Sequence, residues 1–421
     1  MFKFIHTADI HLDSPLCGLS RYEGAPADQV RAASRQAFSN LVRLALDEEV
    51  RFVLISGDLF DGDWKDYNTA LFLSREMSRL REGGIQVFII SGNHDAASQI
   101  TRSLRMPENV RRLSTTKPET VVIEETGVAI HGQGFASRSV TDDLAAAYPM
   151  AKPGYFNIGM LHTSLTGREG HEPYAPCKLE TLLSKNYDYW ALGHVHKREV
   201  VHENPWIVFP GNIQGRHIGE AGQKGCSLVT VSGGRLLSVE HVDTDVLRWL
   251  LCSIDAAEAG TPEELVDRLR SAIEAASEDN ANLPLAVRVI LSGPCKAHGE
   301  LSLDPEKWVN EIRAAAADMS GGSVWIEKVR IRTSLPAGPE AAREGDDALA
   351  DLLRYAGSIM TADDLPASFI EDYNSLKAKL PSELFHGEES LALDSTERVR
   401  RLIDDASQML LSRLLPGRGR A

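Results

Sequence analysis

Phe52-Val53-Leu54-Ile55-Ser56-Gly57-Asp58 is a short run of β-branched and aromatic residues that stops on Gly-Asp. Its length and composition predict a strand with a polar side chain presented at its carboxyl end. The same form recurs on either side: Phe4–Ala8 ahead of Asp9, Val87–Ser91 ahead of Gly92-Asn93, Ile158–His162, and Tyr189–Gly193 ahead of His194. Between the first two, Val30–Glu49 carries Val30, Ala33, Ala37, Leu41, Leu44 and Ala45 at helical spacing with a charged opposite face. Strands alternating with amphipathic helices predict an α/β layered architecture over the first 245 residues or so. Later segments, Val121–Glu124, Val128–His131, Ile207–Phe209, Ser227–Val231 and Leu236–Val242, read as antiparallel strands joined by turns such as Ser232-Gly233-Gly234.

The pattern changes near Asp243. From Leu247 to Thr333 it runs strand, helix, strand, helix, strand: Leu250–Ile254, Thr261–Ala276, Leu285–Leu291, Pro305–Met319 and Val324–Ile331. Thr261-Pro262-Glu263-Glu264 opens the first of these helices with a capping residue, a proline and a back-reaching glutamate. Ser334-Leu335-Pro336-Ala337-Gly338-Pro339 reads as a linker, and the residues beyond it have helical periodicity, most clearly over Thr396–Leu415. There Val399, Leu402, Ile403, Ala406, Leu410 and Leu414 form one apolar stripe, which suits packing on its own domain as well as docking a partner. The expected layout is a domain at 1–245, a small α+β domain at 246–333, and a linker with helices at 334–421.

Composition narrows the class. With 421 residues, 43% hydrophobic and 25% charged, the chain is an ordinary folded protein too long for one core. A net charge of −15 argues against coating nucleic acid by bulk electrostatics, so any nucleic-acid contact has to be local or supplied by a partner. The five cysteines (Cys17, Cys177, Cys226, Cys252, Cys295) are never spaced Cys-x-x-Cys, which indicates neither a disulfide framework nor a thiolate metal site. The apolar start, Met1-Phe2-Lys3-Phe4-Ile5, is broken at once by His6 and Asp9, so a cytoplasmic protein without a membrane span is expected.

Five motifs sit at the predicted strand ends: Asp9-Ile10-His11, Gly57-Asp58, Gly92-Asn93-His94-Asp95, His162, and Gly193-His194-Val195-His196. Asp-x-His and His-x-His let an irregular turn aim two ligands at one cation or at two adjacent ones. Imidazole with carboxylate and amide oxygen suits Mn²⁺, Fe²⁺ or Zn²⁺ better than Ca²⁺. Each motif alone is weak, since a single histidine at a strand end is commonly just hydrogen-bonded and a single Gly-Asp is commonly a turn. Their joint placement carries the reading.

These motifs, in this order, resemble the calcineurin-like metallophosphoesterase superfamily. His6-Thr7-Ala8-Asp9-Ile10-His11-Leu12 with Gly57-Asp58-Leu59-Phe60-Asp61 and Gly92-Asn93-His94-Asp95 is similar to the SbcD-type DNA repair nuclease subunits. Leu161-His162-Thr163-Ser164, Tyr174-Ala175-Pro176-Cys177, Tyr189–His196 and Pro210-Gly211-Asn212-Ile213-Gln214-Gly215-Arg216-His217 resemble the YhaO branch of that family. The resemblance implies a four-layer β-sandwich flanked by helices, with a capping domain behind it. It implies one metal on Asp9, His11, Asp58 and His196, and a second on Asp58, Asn93, His162 and His194, with Asp58 bridging. Two cations about 3.5–4 Å apart can bring a water to hydroxide near neutral pH, and that is the implied nucleophile. His94 is implied to face the substrate, stabilising the phosphoryl oxygens and protonating the leaving oxygen, with Asp95 orienting it. Capping the helix after it, Ala96–Leu104, is the other use for Asp95.

The resemblance further implies action on DNA with Mn²⁺, beside a large SbcC-like coiled-coil ATPase that holds the DNA. The C-terminal helix would dock that ATPase, and Tyr67–Leu80 and Ala96–Leu104 would form homodimer contacts. Arg216 comes after a Gly-containing turn and could touch phosphate; Arg102, Arg105, Arg111 and Arg112 fit a solvated surface as well as a phosphate contact. His131 and His217 read as structural or surface residues. Two other functions stay open: a phosphodiesterase or phosphatase of small nucleotides, and a scaffold that keeps the fold without catalysis.

Overall fold

Side chains point alternately to the two faces along three parallel strands, β1 (Phe2–Thr7), β2 (Phe52–Ser56) and β3 (Gln86–Ile90), and that alternation assembles the layers. The computed structural model describes residues 1–14, 27–61, 67–97, 106–165, 175–281, 283–336, 348–361 and 367–377, with short pieces at 379, 399–400, 402–404, 406–407 and 409–410. Ile5, Val53, Ile55, Val87 and Ile89 face helices α1 (Ala27–Asp47) and α2 (Tyr67–Glu82), packing on Ala37, Phe38, Leu41, Leu73 and Met77. Phe4, Phe52, Leu54, Phe88 and Ile90 face the opposite way, toward a second sheet. Each strand is thus apolar on both faces, which is why its sequence shows a continuous run rather than a polar alternation.

The first sheet has the order β12-β11-β1-β2-β3-β4 and the second β5-β6-β7-β8-β10-β9. The remaining strands are β4 (Val110–Arg112), β5 (Glu119–Ile123), β6 (Val128–Gly132), β7 (Phe156–His162), β8 (Tyr189–Gly193), β9 (Glu199–Glu203), β10 (Trp206–Phe209), β11 (Gly225–Ser232) and β12 (Arg235–Asp243). Val128, Ile130, Phe156, Ile158, Met160 and Tyr189 close the space between the sheets. Leu161, Trp190, Leu192, Ile207 and Phe209 pack outward against Leu182 of the helix Leu179–Ser184. Helix, sheet, sheet and helix make four layers, an α/β sandwich as expected. β6 and β10, expected to be antiparallel strands, do pair antiparallel with β5 and β9, and on their other edges they run parallel to β7 and β8. Short β4 and the half-exposed β9 lack the long apolar runs of the central strands, so periodicity does not mark them.

The sheets are joined by more than apolar contact. His6, fully buried in β1, meets the Tyr189 hydroxyl at 2.9 Å through Nδ1 and the Leu192 carbonyl at 3.0 Å through Nε2. Burial pushes its pKa down to about 3, so the ring is neutral.

Contacts divide the chain into two compact units. The first comprises Met1–Leu251, Asp279–Val287 and Ser323–Glu327; the second comprises Cys252–Glu278, Arg288–Gly322 and the described residues from Lys328 on. A three-stranded sheet of order β13-β14-β15 is built from Arg248–Asp255, Leu285–Pro294 and Val324–Ser334. The helix Pro262–Asp279 has Glu264 reaching back to the Gly260 N–H at 3.1 Å. The helix Pro305–Ser320 is capped by Asp304, which accepts from the Lys307 N–H at 3.1 Å, and closes on Gly321 in the left-handed region. Helices Ala348–Thr361 and Ala367–Lys377 come next. The expected helix Thr396–Leu415, the Ala96–Leu104 helix beyond Ala97, Arg102, Arg105, Cys17 and Tyr174 lie wholly or largely outside the described residues. The other four cysteines are free and buried. Among the described residues no helix is long and apolar enough to cross a membrane.

Candidate metal centre

Parallel strands of the two sheets end at one place, and the polar residues beyond them meet there. Asp9 and His11 follow β1, Asp58 follows β2, Asn93 opens a short helix, α3 (Asn93–Ala97), after β3, His162 is the last residue of β7, and His194 and His196 follow β8. Carboxyl ends of parallel strands are where ligands bind in α/β folds, because chain reversals there leave room and free side chains. All these residues belong to the first unit.

The loops are locked before any ligand is considered. Asp9 N–H donates to the Gly57 carbonyl and His11 N–H to the Asp58 carbonyl, both at 3.0 Å. The Asp9 carboxylate accepts the His194 N–H at 3.0 and 3.1 Å, and Asp58 Oδ1 accepts the His94 N–H at 2.9 Å. Asp9, His11, Asp58 and His194 all have positive φ, at 51°, 44°, 53° and 102°. Non-glycine residues there carry strain of about 1–3 kcal/mol each, and such strain gathers at functional sites. Two glycines permit close approach: a Cβ on Gly92 would lie 2.2 Å from Asp58 Oδ1 in the neighbouring loop of the same sheet, and one on Gly193 would lie 1.9 Å from the Ser56 carbonyl oxygen of the facing sheet.

Three groups of side chains each bring their ligand atoms within 4.8 Å of one another: Asp9, His11 and His196; His11, Asp58 and His94; and Asp9, Asp58 and His162. His11 Nε2 and His196 Nε2 face each other at 3.3 Å, with Asp9 Oδ1 4.0 Å from His196 Nε2. His162 Nε2 lies 3.0 Å from Asn93 Oδ1 and 3.4 Å from Asp58 Oδ2, while its Nδ1 is held by the Ser56 carbonyl at 2.9 Å. The His194 ring packs edge-on against His162 at 5.2 Å and joins none of the three groups. His94, implied by resemblance to face substrate alone, shares a group with His11 and Asp58.

The electrostatics fit a cation. Asp9 and Asp58 are both buried. Burial pushes the Asp9 carboxyl up; at Asp58 burial acts the same way, but His162, His11 and His94 outweigh it and hold the group well below the usual carboxylate range. Burial lowers His11, with Arg216 adding to it; His162 is raised to about 9, its burial outweighed by Asp58, Asp9 and the Ser56 carbonyl. Two fully buried carboxylates ringed by imidazoles, with buried His11 Nδ1 lacking a hydrogen-bond partner among the described residues, form a donor set suited to divalent ions.

The carboxylate that pairs with His94 is not the expected one. Asp61 Oδ1 lies 2.7 Å from His94 Nδ1 and 3.8 Å from His11 Nδ1, and Ser14 Oγ donates to Asp61 Oδ2 at 2.6 Å. Its hydrogen bond to Asp61 raises the His94 pKa, and the same bond lowers Asp61. Asp95 instead accepts the N–H groups of Leu59, Phe60 and Gly92 at 3.2, 3.0 and 3.1 Å. It is the third residue of α3 and reaches back to the residue before the helix, the acid half of a capping box, while also bracing the turn after Asp58. Buried there and close to Asp58, it is raised to about 6. Asp61 stands within Gly57-Asp58-Leu59-Phe60-Asp61, yet its spacing matches no ligand motif.

Arg216, with a largely buried side chain, is paired by its Nη2 to Glu220 Oε1 at 2.9 Å. Glu220 Oε1 also lies 2.7 Å from His196 Nδ1, a contact that no feature of the sequence announces. His131 is a structural residue, buried between Thr120 Oγ1 at 2.8 Å and Asn157 Oδ1 at 3.1 Å and stacked on Tyr187. His217 caps a 3₁₀ turn by accepting the Gly219 N–H at 3.1 Å. Arg111 is tied to Glu119 at 2.7 Å on the surface.

A sandwich of this order, with acids, an amide and histidines gathered where its two sheets end, defines a class. The chain belongs to the calcineurin-like metallophosphoesterases, whose calcineurin-like phosphoesterase profile matches residues 2–198. Within that class it is similar to YhaO: the profile of the metallophosphoesterase YhaO middle domain matches residues 249–334, and the uncharacterized metallophosphoesterase YhaO of Bacillus subtilis (strain 168) is 36% identical over 294 residues, covering 69% of this chain and 71% of the relative. More distant are two DNA double-strand break repair proteins Mre11. That of Sulfurisphaera tokodaii is 25% identical, covering 69% of this chain and 73% of its own length, and that of Methanopyrus kandleri is 26% identical, covering 64% and 62%.

Proposed function

We propose that the chain is a dinuclear-metal phosphodiesterase that hydrolyses DNA in repair, with Mn²⁺ as its metal and a coiled-coil ATPase of SbcC type as its partner. One observation carries the reading: Asp9, His11, Asp58, Asn93, His162, His194 and His196 gather from the ends of five strands, with His94 paired to a carboxylate at the same place. The similarity to Mre11 repair proteins supports DNA as the substrate.

Asp9, His11 and His196 would hold one ion, and Asn93, His162 and His194 the other, with Asp58 between. When bound, such a pair supplies positive charge to the phosphate and a nucleophilic water near neutral pH. The chain's own residues do the rest. Asp61 fixes Nδ1 and favours the imidazolium form of His94, in which Nε2–H can donate to a phosphoryl or leaving oxygen. Arg216, immobilised on Glu220, presents a permanent cation to the same phosphate. An acidic chain suits a partner that carries the bulk of the DNA contact.

The test is hydrolysis by the purified chain with Mn²⁺, with single- and double-stranded DNA set beside cyclic nucleotides and bis-p-nitrophenyl phosphate, with and without the ATPase. DNA cleavage lost in H94N while metal content stays at two ions is the expected result. Turnover confined to small nucleotides would replace the substrate assignment, and wild-type activity in H94N would remove the role of His94.

A further inference from the structure

The segment Pro210–Glu220 contributes no ligand to the proposed metal pair, yet it packs around His196, one of the proposed ligands. Asn212 N–H and Lys224 Nζ donate to the His196 carbonyl at 3.2 and 3.1 Å, which fixes the backbone of that histidine. Glu220, only 6% exposed, then addresses its ring. The carboxylate accepts from Arg216 N at 2.8 Å, Asn212 Nδ2 at 2.8 Å and Arg216 Nη2 at 2.9 Å, and lies 2.7 Å from His196 Nδ1. So many donors around one carboxylate leave it no role except acceptor.

His196 Nδ1 also lies 3.1 Å from Arg216 Nη2, and a ring nitrogen cannot both donate to Glu220 and accept from Arg216. The shorter contact decides, because an ionised Glu220 can only accept, so its 2.7 Å contact requires a proton on Nδ1, whereas Arg216 Nη2 still has Glu220 Oε1 as its acceptor. Nδ1 therefore carries the proton. The Nε2 lone pair is left pointing at His11 Nε2, 3.3 Å away, and toward Asp9. The hydrogen bond made by one ring nitrogen sets the tautomer of a histidine, so Glu220 selects the form that can bind an ion through Nε2.

We propose that Glu220 is a positioning residue that serves two tasks with one carboxylate: it fixes His196 as an Nε2 ligand and holds Arg216 beside the same ion. This rests on the metal-centre reading above. It adds that ligand geometry at one ion and placement of the phosphate-facing cation are coupled, so that losing Glu220 disturbs both, whereas losing Arg216 disturbs only the second.

The full chain serves for the test, with Mn²⁺ as the probe. Mn²⁺ binding is measured by titration, and the His196 tautomer by long-range ¹H–¹⁵N correlation in the metal-free protein. In E220A, affinity at one of the two sites is expected to fall about 10–100-fold, the loss typical of an outer partner of a ligand histidine, with the other site unchanged. His196 is expected to shift from the Nδ1–H form toward the Nε2–H form. E220Q, whose amide oxygen still accepts from Nδ1–H, should recover the tautomer and most of the affinity, and R216A should keep both while raising KM. E220D, too short to span His196 and Arg216, should follow E220A and stands in for it where alanine prevents folding. Undiminished affinity at both sites with an unchanged tautomer in E220A or E220D overturns the proposal. A wild-type chain that takes up no Mn²⁺ overturns the metal-centre reading instead, so the two failures are distinct.

Discussion

His94 Nδ1 and Asp61 Oδ1 lie 2.7 Å apart, and Asp61 is held from its other side by the Ser14 hydroxyl at 2.6 Å. The imidazole thus has one nitrogen engaged and its charge favoured by a carboxylate that gives up its own proton readily. D61N removes that charge while keeping the shape. We expect kcat on bis-p-nitrophenyl phosphate to fall about 10–100-fold, as for loss of an orienting partner, with two Mn²⁺ still bound. Unchanged kcat would separate Asp61 from the function of His94.

Asp95 should behave differently, because its three acceptor contacts are all to backbone N–H groups. D95A leaves buried donors at Leu59, Phe60 and Gly92 without an acceptor, at about 1–3 kcal/mol for each one that water cannot reach. A lower midpoint of thermal unfolding in the metal-free protein is the expected result. A variant with wild-type stability but impaired turnover would return Asp95 to the role of orienting His94.

His6 predicts a pH dependence of stability. Its folded pKa is depressed to about 3, against about 6.5 in an unfolded chain, so only the unfolded state takes up the proton between those values. Stability is therefore full above about pH 6.5 and declines as pH falls toward 3, by at most about 1.4 kcal/mol per pH unit from this group. In H6Q the melting temperature should start lower but fall less steeply between pH 6.5 and 4.5. An equal slope in both proteins would show that other groups set the acid limb.

Removing metal should affect more than catalysis. A ligand that binds only the folded state stabilises it by mass action, about 2.7 kcal/mol at a free concentration one hundred times its Kd. Unfolding with excess chelator, against unfolding with Mn²⁺ at increasing concentration, should give midpoints that rise with the metal in wild type and much less in D58N. A midpoint indifferent to Mn²⁺ would count against Asp58 as a ligand.

Much of this centre is legible in the sequence because its residues stand at the ends of unmistakable strands. Val53 and Ile55 face helices and Leu54 faces the second sheet, so the run must be apolar throughout and its polar end is conspicuous. Asp61, Glu220 and the actual work of Asp95 are not legible for the opposite reason: each acts through a contact distant in sequence or through backbone groups that leave no pattern. The direction of β6 and β10 is hidden too, since a short apolar run does not reveal which way its neighbour points. The expected pairing of Asp95 with His94 assumes that the adjacent carboxylate is the orienting one, whereas in the helical turn of α3 it is directed back at the main chain.

The residues proposed as ligands are divided between the sheets: Asp9, His11, Asp58 and Asn93 follow strands of one, and His162, His194 and His196 end or follow strands of the other. An ion held by them would act as a rivet through the seam of the sandwich, beside the neutral clasp from His6 to Tyr189. Any breathing that parts the layers would have to unseat an ion held by those residues, so opening of the sandwich and release of metal would be coupled.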